Sequence, residues 1–327
     1  MAKQHRDTAW PLVGHRDAEA AFFDAHTRGR LHHAWLLEGP SGIGKAQLAR
    51  RLAGFLLGAK GSPDVGDPSA SGGSPFDAPA DDPVVQLMGS GGHPDLRWIT
   101  RTPDDKGKLP QDIKVDQVRS LIQFFTLAPA MGGWRVGVID ALDALNRSGA
   151  NAVLKTLEEP PAQAILFLIY HGTSPILPTV RSRCRRLYLR PLAQDDAEAV
   201  IAGTGEQDPK TIAALAPGRP GLALLRATPK ARSAVACAGA VLKGLPRLSP
   251  ATINDAAQQA AASDEAFDAF SGRLLMGLAR RAEKTPAEAA RWLWMSRTLA
   301  EAREDKMDKA QTAAKLLAGL QKPAAAY

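Results

Sequence analysis

The stretch Leu36–Leu52, "LLEGPSGIGKAQLARRL", decides how the rest of the chain is read. Ala34–Gly39 is a short apolar run closed by glycine and proline, the mark of a buried strand. From Lys45 onward, Leu48, Leu52, Phe55 and Leu56 recur at helical spacing. Between them, Gly39, Gly42, Gly44 and Lys45 meet the pattern G-x-x-x-x-G-K. Strand, glycine loop and helix in that order form a phosphate-binding loop: backbone N–H groups approach phosphate oxygens, the helix N-terminus adds a favourable dipole, and the lysine reaches the β/γ-phosphates. The position after the lysine calls for Ser or Thr, whose hydroxyl binds Mg²⁺. Here it is Ala46.

Working outward, four further apolar segments have the look of strands: "HPDLRWIT" (93–100), "WRVGVIDAL" (134–142), "AILFLIYHG" (164–172) and "RRLYLRPL" (185–192). Between them lie an amphipathic helix, with Val115, Val118, Leu121, Ile122 and Phe125 on one face, and the helix of "SGANAVLKTLEEPP", stopped by Pro160 and Pro161. Five strands alternating with helices predict a parallel α/β sheet up to Leu192. Residues 58–92, rich in Gly, Ser, Pro, Asp and Ala, read as a long, partly disordered insertion. Beyond Leu192 the pattern is helical. Phe267, Phe270, Leu274, Leu275 and Leu278 mark one face, and Trp292, Met295 and Leu299 another, with breaks at Pro217–Pro220, Pro246–Pro250 and Pro286.

Composition narrows the function. The chain has 327 residues and a formal net charge of +7, which suits polyanionic partners such as nucleotides or DNA. Its two cysteines, Cys184 and Cys237, argue against a disulfide framework and a thiolate zinc site. No apolar run approaches the length of a membrane span, and the polar start "MAKQHRDTAW" is no secretion signal; the expectation is a cytoplasmic protein.

Hydrolysis needs more than a loop. Asp140 ends its strand where a nucleotide hydrolase holds its metal, but the adjoining position, where a Glu activates water, is Ala141. Asp143 lies further on and faces differently. Metal hydroxyl and water-activating carboxylate are both absent, so efficient hydrolysis by this chain is not expected. Arg183, in "RSRC", follows a helical turn and precedes a strand. It reads either as part of a solvated basic face or as an arginine finger supplied to a neighbour, a device worth about 10³–10⁵ in rate. Arg181–Arg190 as a whole is basic enough to contact phosphates without reading sequence.

These motifs together resemble the delta-prime family of bacterial DNA polymerase III clamp-loader subunits, within the AAA+ group. The resemblance runs from Trp10 to Leu192 through "VGHRDAEAAF", "GRLHHAWLLEGPSGIGK", "HPDL", "IKVDQVRSL", "NAVLKTLEEPP" and "LPTVRSRC", the last two being specific to clamp-loader subunits. It implies an AAA+ domain over residues 1–192, a small helical lid over 193–233 and a helical collar domain over 234–327. It also implies a stator that does not turn over ATP and lacks polymerase activity. Such a subunit sits in a hetero-pentamer with gamma or tau motor subunits and delta, helps load the beta sliding clamp on primed DNA, and offers Arg183 to a motor's ATP site. Lys45 and the glycines are then kept for loop structure or for a static nucleotide, and no cofactor is required. Relatives carry four zinc-binding cysteines after the loop helix; residues 58–92 have none, so no zinc is expected. The sensor position reads Tyr170-His171, with His171 a polar cap on its strand. Arg219 lies near where motors place a phosphate-sensing arginine, with a poor match. The other reading is an active motor of the gamma/tau kind, which the intact Gly39–Lys45 loop favours and Ala46 and Ala141 oppose.

Overall fold

The computed structural model describes residues 9–61, 74–103, 110, 112–283, 285–305 and 307–321. Contacts divide the chain into two compact units at Leu192/Ala193.

The first unit is a five-stranded sheet: β1 (Ala34–Glu38), β2 (Leu96–Thr100), β3 (Arg135–Asp140), β4 (Ala164–Tyr170) and β5 (Arg185–Tyr188). Their order is β2-β3-β4-β1-β5, and every neighbouring pair is parallel. The glycine-loop strand therefore lies between β4 and β5. Six helices accompany the sheet: α1 (Arg16–Thr27), α2 (Lys45–Leu56), α3 (Pro83–Gly89), α4 (Val115–Phe125), α5 (Arg147–Glu158) and α6 (Pro178–Arg181). Parallel sheets are covered on both faces, which is why the central strands read as continuous apolar runs rather than alternating ones. Trp35, Leu37, Val138 and Phe167 pack with Phe22 of α1 and Leu48 and Leu52 of α2. On the opposite face, Leu36, Ile139, Leu166 and Leu168 pack with Val118 and Leu121 of α4 and Val153 and Leu157 of α5. The expected α/β sheet is thus the observed one.

Within the stretch 58–92, expected to be partly disordered, residues 58–61 and 74–92 are described. Residues 62–73 lie outside the described residues, but residues 83–89 form α3. Pro83 sits at its first position, and the Asp82 carboxylate accepts the N–H groups of Val84 and Val85. Phe76, Ala78, Val85 and Met88 are buried. What holds the segment is a buried cation. Arg51 of α2 donates from Nε to Glu19 Oε1 at 2.6 Å and from Nη1 to Asp77 Oδ1 at 2.6 Å. Ser74 Oγ adds a bond to Glu19 Oε2 at 3.3 Å. Scattered anchors of this kind leave no periodicity in the sequence.

The second unit is helical: α7 (Gln194–Gly203), α8 (Pro209–Ala213), α9 (Pro220–Leu225), α10 (Pro229–Gly244), α11 (Pro250–Ala260), α12 (Asp264–Ala282), α13 (Pro286–Glu304) and α14 (Lys309–Leu320). Pro220, Pro250 and Pro286 are first-turn residues, so the breaks in the sequence are helix starts. Ser249 and Thr285 cap two of them by accepting N–H bonds from Thr252 and Glu288. Two cores form. Ile201, Ile212, Leu215 and Ala223 make the first; Leu242, Phe270, Leu274, Leu278, Met295 and Leu316 belong to the second. The boundary expected at 233/234 falls within α10, which gives Ala231 and Val235 to the first core and Ala234, Ala238 and Val241 to the second. Among the described residues no helix is long and apolar enough to cross a membrane.

Candidate functional site

The glycine loop joins the end of β1 to the start of α2. Gly39 cannot be replaced without moving backbone, because a Cβ there would lie 2.3 Å from the carbonyl oxygen of Leu189. Gly44 precedes α2 with φ of 102°, a conformation open to glycine and costly for L side chains. The loop therefore has the strand–loop–helix setting that phosphate binding calls for. Its lysine, however, turns inward. Lys45 Nζ donates to the carbonyl of Gly39 at 2.5 Å and to that of Pro40 at 2.6 Å. Burial lowers its pKa to about 8, against the pull of the Asp143 and Asp140 carboxylates. At the next position Ala46 presents a methyl group, partly buried against the core beneath α2.

Asp140 ends β3 as expected. Burial raises its pKa; Arg50, Lys45, Arg101 and a hydrogen bond from Trp98 oppose that rise. Arg50 stacks 4.8 Å from the Trp98 ring centroid, which places indole and guanidinium beside this carboxylate. Ala141 is buried and carries no oxygen. Asp143 has a different task. Its carboxylate accepts the N–H of His171 at 2.6 Å and the N–H of Thr173 at 2.7 Å. Burial raises its pKa, but these bonds more than offset that and hold the acid below its usual range. It fastens the turn after β4. His171 directly follows β4, and its Nε2 stands 4.0 Å from Asp140 Oδ1, beyond hydrogen-bond reach. Burial first, and then Lys45, push its pKa down to about 4, so the ring is neutral.

The structure brings Gly39, Gly42, Gly44, Lys45, Asp140, Asp143 and His171 to one end of the sheet. Arg183 is placed separately, just past α6. One of its Nη groups donates to the carbonyl of Thr179 at 3.0 Å, and the other lies 3.0 Å from Glu158 Oε1, at the end of α5. Arg219 precedes α9 in the second unit.

The basic run is less free than its sequence suggests. Glu38, buried at the end of β1, takes a bond from Arg181 on one oxygen and from Arg186 on the other, each at 2.5 Å. Burial alone would raise the Glu38 pKa; the two guanidinium groups outweigh it and hold the acid low. Arg185 lies 5.1 Å from the Trp35 ring centroid. Sequence reasoning missed Glu38 and Glu158. The signal for Glu38 was available: an acid closing a buried apolar strand needs a cation. Glu158 lay in plain view within "LEEPP", with nothing to say which arginine it meets.

A family model described as DNA polymerase III, delta subunit, matches residues 14–193. Over 157 residues the chain is 39% identical to DNA polymerase III subunit delta' of Pseudomonas aeruginosa, covering 48% of this chain and 43% of that protein. Against subunit delta' of Escherichia coli strain K12 the identity is 34% over 203 residues, covering 61% and 56%. DNA polymerase III subunit tau of Salmonella typhimurium is 31% identical over 181 residues, covering 55% of this chain and 25% of that protein. The matches to the two delta' subunits span about half the length of each relative.

Proposed function

The chain belongs to the DNA polymerase III, delta subunit, family, and from that premise we propose that it is the delta-prime-type stator of a clamp loader. In this reading it does not hydrolyse ATP. It joins gamma or tau motor subunits and delta in a hetero-pentamer that loads the beta sliding clamp on primed DNA, and it lends Arg183 to a neighbouring motor's ATP site. The observation that carries the proposal is a pair of alanines: the side chains of Ala46, after the loop lysine, and Ala141, after Asp140, lack the oxygen that Mg²⁺ or the attacking water requires. No metal and no other cofactor enters the proposed role of this chain.

The second reading is a gamma/tau-like motor ATPase, favoured by the complete Gly39–Lys45 pattern and by the similarity to tau of Salmonella typhimurium. One experiment separates the two. ATP hydrolysis is measured for the isolated chain and for a loader reconstituted with motor subunits, delta, clamp and primed DNA, using wild type and Arg183→Ala. The stator reading expects no turnover by the isolated chain and a fall on the order of 10³-fold at the neighbouring site with Arg183→Ala. Turnover by the isolated chain overturns it in favour of the motor.

A further inference from the structure

We infer that Glu158 is the positioning residue for Arg183. The inference rests on the reading of Arg183 as a finger for a neighbour's site.

An arginine side chain carries about 2 kcal/mol of rotamer entropy, so a finger waiting in solvent would have to be ordered each time it acted. Arg183 is already ordered by two ties. One is local: an Nη group donates to the carbonyl of Thr179, four residues back, at 3.0 Å. The other crosses to a different element: the second Nη group lies 3.0 Å from Glu158 Oε1. A guanidinium has five N–H donors. One donates to Thr179 and another faces Glu158 as an ion pair, so others stay open to phosphate oxygens. The pair is half exposed, at 36% for Arg183 and 50% for Glu158, so a partner surface can reach it.

The platform beneath the pair is rigid. Glu158 is the last residue of α5, and the chain turns away at Glu159, Pro160 and Pro161. Val180 of α6 is buried in the same core as Val153 and Leu157 of α5. Arg181, at the end of α6, is bonded to the buried Glu38. Two carboxylates thus strap the short segment that carries Arg183, Glu38 from the sheet and Glu158 from the helix.

The test uses the full reconstituted loader with wild type, Arg183→Ala, Glu158→Ala, Glu158→Gln and the double variant, after gel filtration shows equal assembly. Glu158→Ala should lower the neighbour's kcat on the order of tenfold, because a guanidinium that must find its geometry loses rate without losing charge. The KM for ATP should stay within about twofold, since the contact matters in the transition state. Glu158→Gln keeps an acceptor oxygen in the same place and should restore most of the rate. The double variant should be no slower than Arg183→Ala alone, because Glu158 acts through Arg183. If Arg183→Ala is slow and Glu158→Ala matches wild type, the inference is overturned and the finger stands. Equal losses in Glu158→Ala and Glu158→Gln, or a double variant slower than Arg183→Ala, also overturn it. If Arg183→Ala itself has no effect, the finger reading has failed, and this inference with it.

Discussion

Lys45 Nζ lies 2.5 Å from the carbonyl oxygen of Gly39, the residue that opens the same loop. The lysine bridges the start of the loop to the start of α2. The arrangement has a cost that depends on pH. Burial lowers the Lys45 pKa from 10.5 to about 8. Between those values the unfolded chain binds more protons than the folded one, so stability rises with pH across that window. Below pH 8 both states are protonated and the full cost is present. Lys45→Met should remove this dependence. The check is denaturant unfolding of wild type and variant at pH 7.5 and 10: the difference between the two proteins should change with pH. A constant difference would mean that Lys45 titrates normally.

Arg51 is the buried cation on which the segment 74–82 depends. It is 2% exposed and meets Glu19 and Asp77. Arg51→Met leaves the carboxylate of Glu19 buried without its partner, and breaking one side of a buried pair costs about 3–5 kcal/mol. The expected outcome is a lower denaturant midpoint together with faster proteolytic cleavage in residues 74–82. An unchanged midpoint would show that the pair is not a mainstay of the fold.

Glu38 ties β1 to β5 and α6. Its folded pKa is depressed below the ordinary 4.5, chiefly by the two guanidinium groups against burial. Its contribution is therefore present above pH 4.5 and is lost as pH falls through the folded value. Arg181 and Arg186 are about half exposed, so solvent screens part of the pair. Glu38→Ala should cost about 1–2 kcal/mol near neutral pH, with a smaller deficit at pH 3. Thermal unfolding at both pH values tests this; a deficit that grows on acidification would contradict it.

Gly39→Ala places a Cβ 2.3 Å from a backbone oxygen of Leu189, and backbone cannot swing aside as a long side chain can. The loss should be about 1–3 kcal/mol, the usual cost of forced overpacking. Gly29→Ala is a useful contrast, since it has open space around it and only an unfavourable φ of 63° to overcome. Its loss in Tm should be the smaller of the two.

Much of the fold was legible because local patterns carried it. The five strands and helices α2, α4 and α5 follow from apolar runs and helical spacing, and the break at Leu192 follows from the end of strand signals. The glycine loop was legible because its spacing is itself the structure. Residues 74–92 were not legible, because their anchors are single contacts to Arg51 and Glu19 from far along the chain. The sharing of α10 between two cores was not legible for a related reason. Helix α10 shows no break at 233/234, and only packing reveals that one helix feeds two cores.

By itself the sequence determined what chemistry is missing. The side chains of Ala46 and Ala141 have no oxygen, and no fold can supply one. It also determined that a parallel sheet forms, since runs such as Ala164–Tyr170 can be satisfied only between two covered faces. What only the tertiary structure decided is where the remaining charges go. Lys45 turns to its own loop, Asp143 to the turn after β4, Arg181 and Arg186 to Glu38, and Arg183 to Glu158. Most of these pairings join residues distant in sequence. A charge is long-ranged and sequence-blind, so its partner is whichever opposite charge or backbone dipole the fold brings near.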